Sequence, residues 1–166
     1  MKLVKIVAVL GLVSLITACS GTVKTMPENS SYKYNGEQYS VVAVSLAQAK
    51  ISDEGSFNAE VFKTTLENAL KEQGLMTDGQ KATLQVDLKN VNLRSQGAAV
   101  LLGFLAGSDT IEGTVTLLDA NNQILNKFDV DASYAAGGFI GGQDGTRMDW
   151  LYAKFAELTW QTIKGS

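Results

Sequence analysis

The chain has no histidine, a single cysteine (Cys19) and a single proline (Pro27). Without histidine, the commonest general base and the commonest transition-metal ligand are both missing. Ser-His-Asp and Cys-His catalytic arrangements are therefore impossible. One cysteine cannot close an internal disulfide. An excess of basic charge is lacking too: 14 Lys and Arg face 17 Asp and Glu, a net −3. That balance argues against nucleic acid as a partner and against electrostatic docking on anionic lipid. Long apolar runs are also absent. Ile6 to Ile16, about eleven residues, falls short of the roughly 20 needed to cross a bilayer as a helix.

That short run still has a purpose. Met1-Lys2-Leu3-Val4-Lys5 supplies a basic start, and the apolar stretch has the length of a secretory signal. Ile16-Thr17-Ala18-Cys19, an aliphatic residue and two small ones before the cysteine, resembles the bacterial lipobox. The resemblance implies that the Cys19 sulfur receives a diacylglycerol, that cleavage occurs before it, and that its new amine is acylated, with palmitate as a typical chain. Ser20 follows, not Asp, and by resemblance to enterobacterial lipoproteins this implies outer-membrane sorting and a periplasmic domain. The expected organisation is a signal peptide at 1–18, a lipidated N-terminus and flexible tether at 19–37, and one periplasmic domain at 38–166. Removing Lys2 and Lys5 leaves 12 basic against 17 acidic residues, a mature charge of −5.

Hydrophobic periodicity gives the plan of that domain. Tyr39–Ala47 reads as a strand, and β-branched residues on both faces of Val41-Val42-Ala43-Val44 place it in the middle of a sheet. A helix follows from Ser56, as N-cap, to Gln73, with Ala59, Phe62, Leu66, Ala69 and Leu70 on one stripe and Gly74 ending it. Phe57 and Val61 fall off the stripe. Ala82–Arg94 is a strand whose inward residues change parity between Leu88 and Val91, which predicts a β-bulge at Lys89-Asn90. Strands at Thr110–Leu118 and Leu125–Tyr134 flank a turn at Asp119–Asn122. A last helix spans Thr146–Lys164, with Met148, Leu151, Phe155 and Thr162 inward. The expected fold is α+β: a two-layer β-α-β-β-β-α sandwich, with a mixed four-stranded sheet and both helices on one face. The rings of Tyr32, Tyr34 and Tyr39 are expected to pack on the domain edge.

No constellation points to catalysis or to a cofactor. Asp109, Asp119, Asp144 and Asp149 sit at expected turns and strand ends, where Asp serves local hydrogen bonds. Glu112 and Asp129 are candidates to face each other across strands, but on a solvated face. Gln143-Asp144-Gly145 offers too few oxygens for calcium. Glycines 137, 138, 141, 142 and 145 precede a helix, but without the lysine and spacing of a phosphate loop. The chain is therefore expected not to be an enzyme.

The informative segment is Gly97–Gly107, which joins two strands and is too apolar for a solvated loop. Three roles are open to it: completing the core, exposing an apolar patch for a partner or for self-association, or dipping into the membrane. The candidate partner-binding residues are Leu101, Leu102, Phe104 and Leu105, with Trp150 and Trp160 on the last helix. For the two tryptophans, edge packing against nearby loops is the competing role.

Leu102-Gly103-Phe104-Leu105-Ala106-Gly107, then Leu117-Leu118-Asp119, then Gly137-Gly138-Phe139-Ile140-Gly141-Gly142 before a terminal helix, resembles a family of short bacterial outer-membrane lipoproteins with a domain of unknown function (4410 type). More distantly, Gly55-Ser56-Phe57-Asn58-Ala59 with Leu66-Glu67-Asn68-Ala69-Leu70 is similar to the periplasmic lipoproteins that activate peptidoglycan synthases, and the strand order is similar to that of the curli-secretion lipoprotein. The chain lacks the proline-rich linker of the activators and the pore strands of the curli protein. The anchor, the missing catalytic side chains and the apolar glycine segment point to a non-catalytic binding or assembly accessory of the envelope, with an envelope protein or the peptidoglycan machinery as expected partner. The alternatives are a self-associating structural protomer and a carboxylate-dependent glycan hydrolase.

The anchor is testable chemically. Cys19→Ser should block incorporation of labelled palmitate and leave the precursor uncleaved. Label entering the variant, or wild-type protein released in soluble form, would refute the assignment.

Overall fold

The structure, a computed structural model, describes residues 19–26, 31–52, 56–79, 82–102, 105, 107–136 and 144–165. The expected signal at 1–18 lies outside these residues. In chain order the elements are β1 (Cys19–Thr25), β2 (Val41–Ser45), β3 (Lys50–Ile51), α1 (Ala59–Glu72), β4 (Thr83–Asn92), α2 (Gln96–Leu102), β5 (Asp109–Leu118), β6 (Ile124–Tyr134) and α3 (Asp144–Lys164). One mixed sheet runs in the order β1-β6-β5-β4-β2, and β3 also pairs with β4. The α+β class holds, but the sheet has six strands, not four.

Two strands depart from expectation. Residues 19–25, expected in a tether, form β1, antiparallel to β6 with Cys19 opposite Tyr134 and Thr25 opposite Phe128. Thr22, Val23 and Thr25 are β-branched, but the segment carries little apolar alternation, and the backbone ladder on the β6 edge organises it. Gly21 fits because a Cβ there would collide with the Leu158 side chain of α3. The second departure is β2, expected in the middle of the sheet and found at its edge. It pairs in parallel with Thr83–Asp87, and β3 continues the same edge beside Asn90 and Val91. Val42 is buried in the core, while Ala43, on the opposite face, is exposed.

The bulge is where the phase change placed it. Leu88 pairs with Gly113 and Asn90 with Glu112, so Lys89 is the extra residue. Leu84, Val86, Leu88, Val91 and Leu93 consequently all reach the same core. Gly113 is needed opposite the bulge, since a Cβ there would lie 3.1 Å from Leu88 Cδ2 and 3.3 Å from Phe155 Cζ.

Helices α1 and α3 cover the core face. Helix α1 starts later than expected, at an Asn58 cap whose Oδ1 accepts from the N–H groups of Glu60 and Val61. Phe57, off the helical stripe, precedes the helix and packs its ring against Phe62 and Tyr152, while Val61 is exposed. At the other end Gly74 has φ +68°, the Leu75 N–H donates to the Leu70 carbonyl and the Gly74 N–H to that of Lys71, a Schellman stop. In α3 the buried stripe is Met148, Tyr152, Phe155, Thr159 and Ile163; Ile163 holds the inward position expected of Thr162. The Asn58 N–H donates to the Tyr152 hydroxyl at 2.9 Å and ties the two helices together. Tyr39 is fully buried and Tyr32 and Tyr34 pack partly against the core. Asn122, in the β5–β6 turn, adopts φ +60°, and Asp119 Oδ1 accepts from the N–H groups of Asn121 and Gln123. Among the described residues, no helix is long and apolar enough to cross a membrane.

Candidate functional site

The sheet register collects one end of every long strand. Cys19 pairs with Tyr134, Tyr134 with Asp109, and Thr110 with Asn92. The start of α3 joins them through Arg147. At this end Asp109 is completely buried between two arginines. Arg94 donates to Asp109 Oδ2 from Nη2 (2.8 Å) and Nε (3.2 Å), and its backbone N–H donates to Oδ1 (2.7 Å). Arg147 Nη1 donates to Oδ1 at 2.7 Å.

Backbone carbonyl oxygens join the carboxylate as acceptors. Arg94 donates to those of Gly107 (3.0 Å), Tyr134 (3.2 Å) and Ala136 (3.0 Å), and Arg147 donates to that of Arg94 (3.1 Å). Only a fork of several fixed donors can do this, which is the reason for Arg and not Lys. The cluster thus pins the end of β4, both sides of the 95–108 excursion, the end of β6 and the first turn of α3. Its donors point inward, so its chemistry is structural. Sequence reasoning missed it, because Asp109 looked like an ordinary strand-end residue. One signal was available: the chain has two arginines among its 14 cations, and they are these two.

The excursion carries α2. Its first turn is supported by Ser95, whose hydroxyl accepts from the Ala98 N–H (3.3 Å) and whose carbonyl accepts from that of Ala99 (3.0 Å). Ala99 is buried, but Leu101, Leu102 and Leu105 are 80, 57 and 76 % exposed. For these three leucines, the role of completing the core is therefore overturned. Phe104 lies outside the described residues. From Ser95 to Ser108 no side chain is charged.

The other candidates lie elsewhere. Trp150 is half-buried, its ring 5.3 Å from that of Tyr134 at 51°. Trp160, nearly three turns further along α3, packs half-buried against the core. The structure brings Leu101, Leu102 and Leu105 together and does not join the two tryptophans to each other. Cys19 stands at the cluster end of the sheet.

The opposite sheet face is polar. Glu112 faces Asp131 and not Asp129, which faces Thr114. Burial raises the Asp129 pKa, but bonds from Lys89 Nζ and the Thr114 hydroxyl, each 2.7 Å, outweigh it and hold the carboxyl below its ordinary range. Asp131 has no such help. Its Oδ1 is buried without a hydrogen-bond partner, and burial together with the Glu112 charge pushes its pKa up. Beside it is a hollow of about 120 Å³, lined by Thr22, Lys24, Lys89, Glu112 and the two aspartates. Among the described residues no group of acidic or cysteine side chains is arranged to hold a metal ion.

Two outcomes follow. Asp109→Ala should cost about 3–5 kcal/mol, because both guanidinium groups lose their buried counter-charge; denaturant melts would read it. Asp131 titrates higher folded than unfolded, so its ionised form opposes folding, and that cost is relieved as pH falls through the folded value. Asp131→Asn should therefore raise the melting temperature at pH 7, and the gain should fade on acidification to about pH 4, near the unfolded carboxyl value. Melts across that range would show it.

Comparison with known proteins places the fold and the family. A PelC dodecamer variant from Paraburkholderia phytofirmans is similar at 12 % identity and a TM-score of 0.52, over 84 % of this chain and 94 % of that one. A minor lipoprotein from Acinetobacter baumannii aligns at 14 % identity and a TM-score of 0.35, over 76 % and 91 %. No curated protein matches. The family model described as Domain of unknown function (DUF4410) matches residues 23–138, from within β1 to just beyond β6. That span is more than two thirds of the chain, and the protein belongs to this family.

Proposed function

We propose that this protein is an outer-membrane-anchored periplasmic lipoprotein that works by binding or assembly in the cell envelope and not by catalysis. The observation that carries the reading is α2: an uncharged helix with exposed leucines on a buried base of Arg94, Asp109 and Arg147. A stripped apolar surface on a rigid support suits contact with another envelope component. The lipobox supplies the anchor, and the PelC fold, known as a dodecamer, makes self-association the second reading. Among the described residues β1 and the β2–β3 line are the outer strands of the sheet, with no further strand paired to them, which favours that second reading as well. An envelope protein or the peptidoglycan machinery is the proposed partner.

Sedimentation of the lipidated protein in detergent separates a monomeric adaptor from an assembled protomer. The same sample should release no fragments from peptidoglycan. Reproducible turnover abolished by Glu112→Gln or Asp131→Asn would overturn the non-catalytic reading.

A further inference from the structure

The lipid-bearing residue has no slack. Cys19 is both the residue that would carry the acyl chains and the first residue of β1, fixed opposite Tyr134. Tyr134 is fixed opposite Asp109, so Cys19 is two strand spacings, about 10 Å, from the foot of the α2 excursion. Arg94 and Arg147 lock that foot in place. The anchor and the exposed leucines thus leave the same end of the same rigid sheet. The β5–β6 hairpin, at Asp119–Asn122, is at the other end.

We propose that the occupant of the Leu101–Leu102–Leu105 surface is the lipid bilayer itself: the domain sits end-on, with α2 resting among the headgroups and upper acyl chains beside the lipid on Cys19. This rests on lipid attachment at Cys19, and it assigns α2 to the bilayer and leaves any protein or peptidoglycan partner to other surfaces. Length agrees, since α2 has 7 residues and cannot span but can lie in the interface. Charge agrees in a specific way. No charged side chain lies between Ser95 and Ser108, the mature chain is acidic, and Asp149 near the start of α3 is exposed. Contact is therefore apolar, not electrostatic, and should not need anionic lipid or respond to salt.

The lipidated protein in phosphatidylcholine vesicles provides the test. Because the only native cysteine is blocked by lipid, one introduced cysteine takes a spin label without ambiguity. Labels at Leu102→Cys and Asn121→Cys are compared for collision with oxygen, which enters the bilayer, and with a water-soluble nickel chelate. The oxygen-to-nickel ratio should be several-fold higher at position 102 than at 121, and unchanged in high salt. Equal ratios would overturn end-on seating. A label at 102 shielded from both reagents, in a particle that sediments as an oligomer, would place a second copy over α2 and also overturn it, with the anchor intact. Failure of the protein to float with vesicles would instead overturn the anchor.

Discussion

The Asp109 carboxylate between Arg94 and Arg147 is the constraint on which the rest of the fold depends. Four stretches meet there that have no apolar reason to meet: the end of β4, the start of β5, the end of β6 and the start of α3. Three of them bring backbone carbonyls, those of Arg94, Gly107, Tyr134 and Ala136, and α3 brings the Arg147 guanidinium. The guanidinium groups donate to those carbonyls, and the carboxylate supplies buried counter-charge. A hydrophobic substitute of equal volume would remove the buried charge but leave the carbonyls without donors. That is why a desolvated ionic cluster is tolerable at this position, although such clusters add little stability in general.

From that base the two sides of the sheet diverge in purpose. Away from the arginine cluster the core side is mostly apolar, and the extra residue at Lys89 keeps it so by resetting the alternation of β4 midway. Lys89 itself lies on the polar face, where its ammonium reaches Asp129. Asp131, one pair along, is left against Glu112. The two aspartates of β6 therefore differ in environment, and one lysine makes much of the difference.

The placement of β1 sets Cys19 within the sheet and not on a tether. Were lipid carried there, as proposed, orientation would be tied to attachment. The end of the sheet concerned is the one from which the uncharged 95–108 excursion leaves. Cys19 and the exposed leucines therefore belong to one geometry.

Much was legible in the residues themselves. A phase fault in an alternating pattern has few physical remedies, so Leu88 and Val91 on opposite parities were enough to place a bulge at Lys89-Asn90, and the register makes Lys89 the extra residue. Helical stripes and the glycine at position 74 placed α1 and its end. What sequence alone could not decide were features made by partners distant in the chain. Strand β1 carries little apolar alternation and exists because β6 offers an open edge. Strand β2 looked central because periodicity records which residues are apolar, not which neighbour they meet. The fate of Leu101, Leu102 and Leu105 was undecided because the same apolar run serves a core or a surface equally well. Only the closure of Arg94, Asp109 and Arg147 across 53 residues of chain determines which way that run must point.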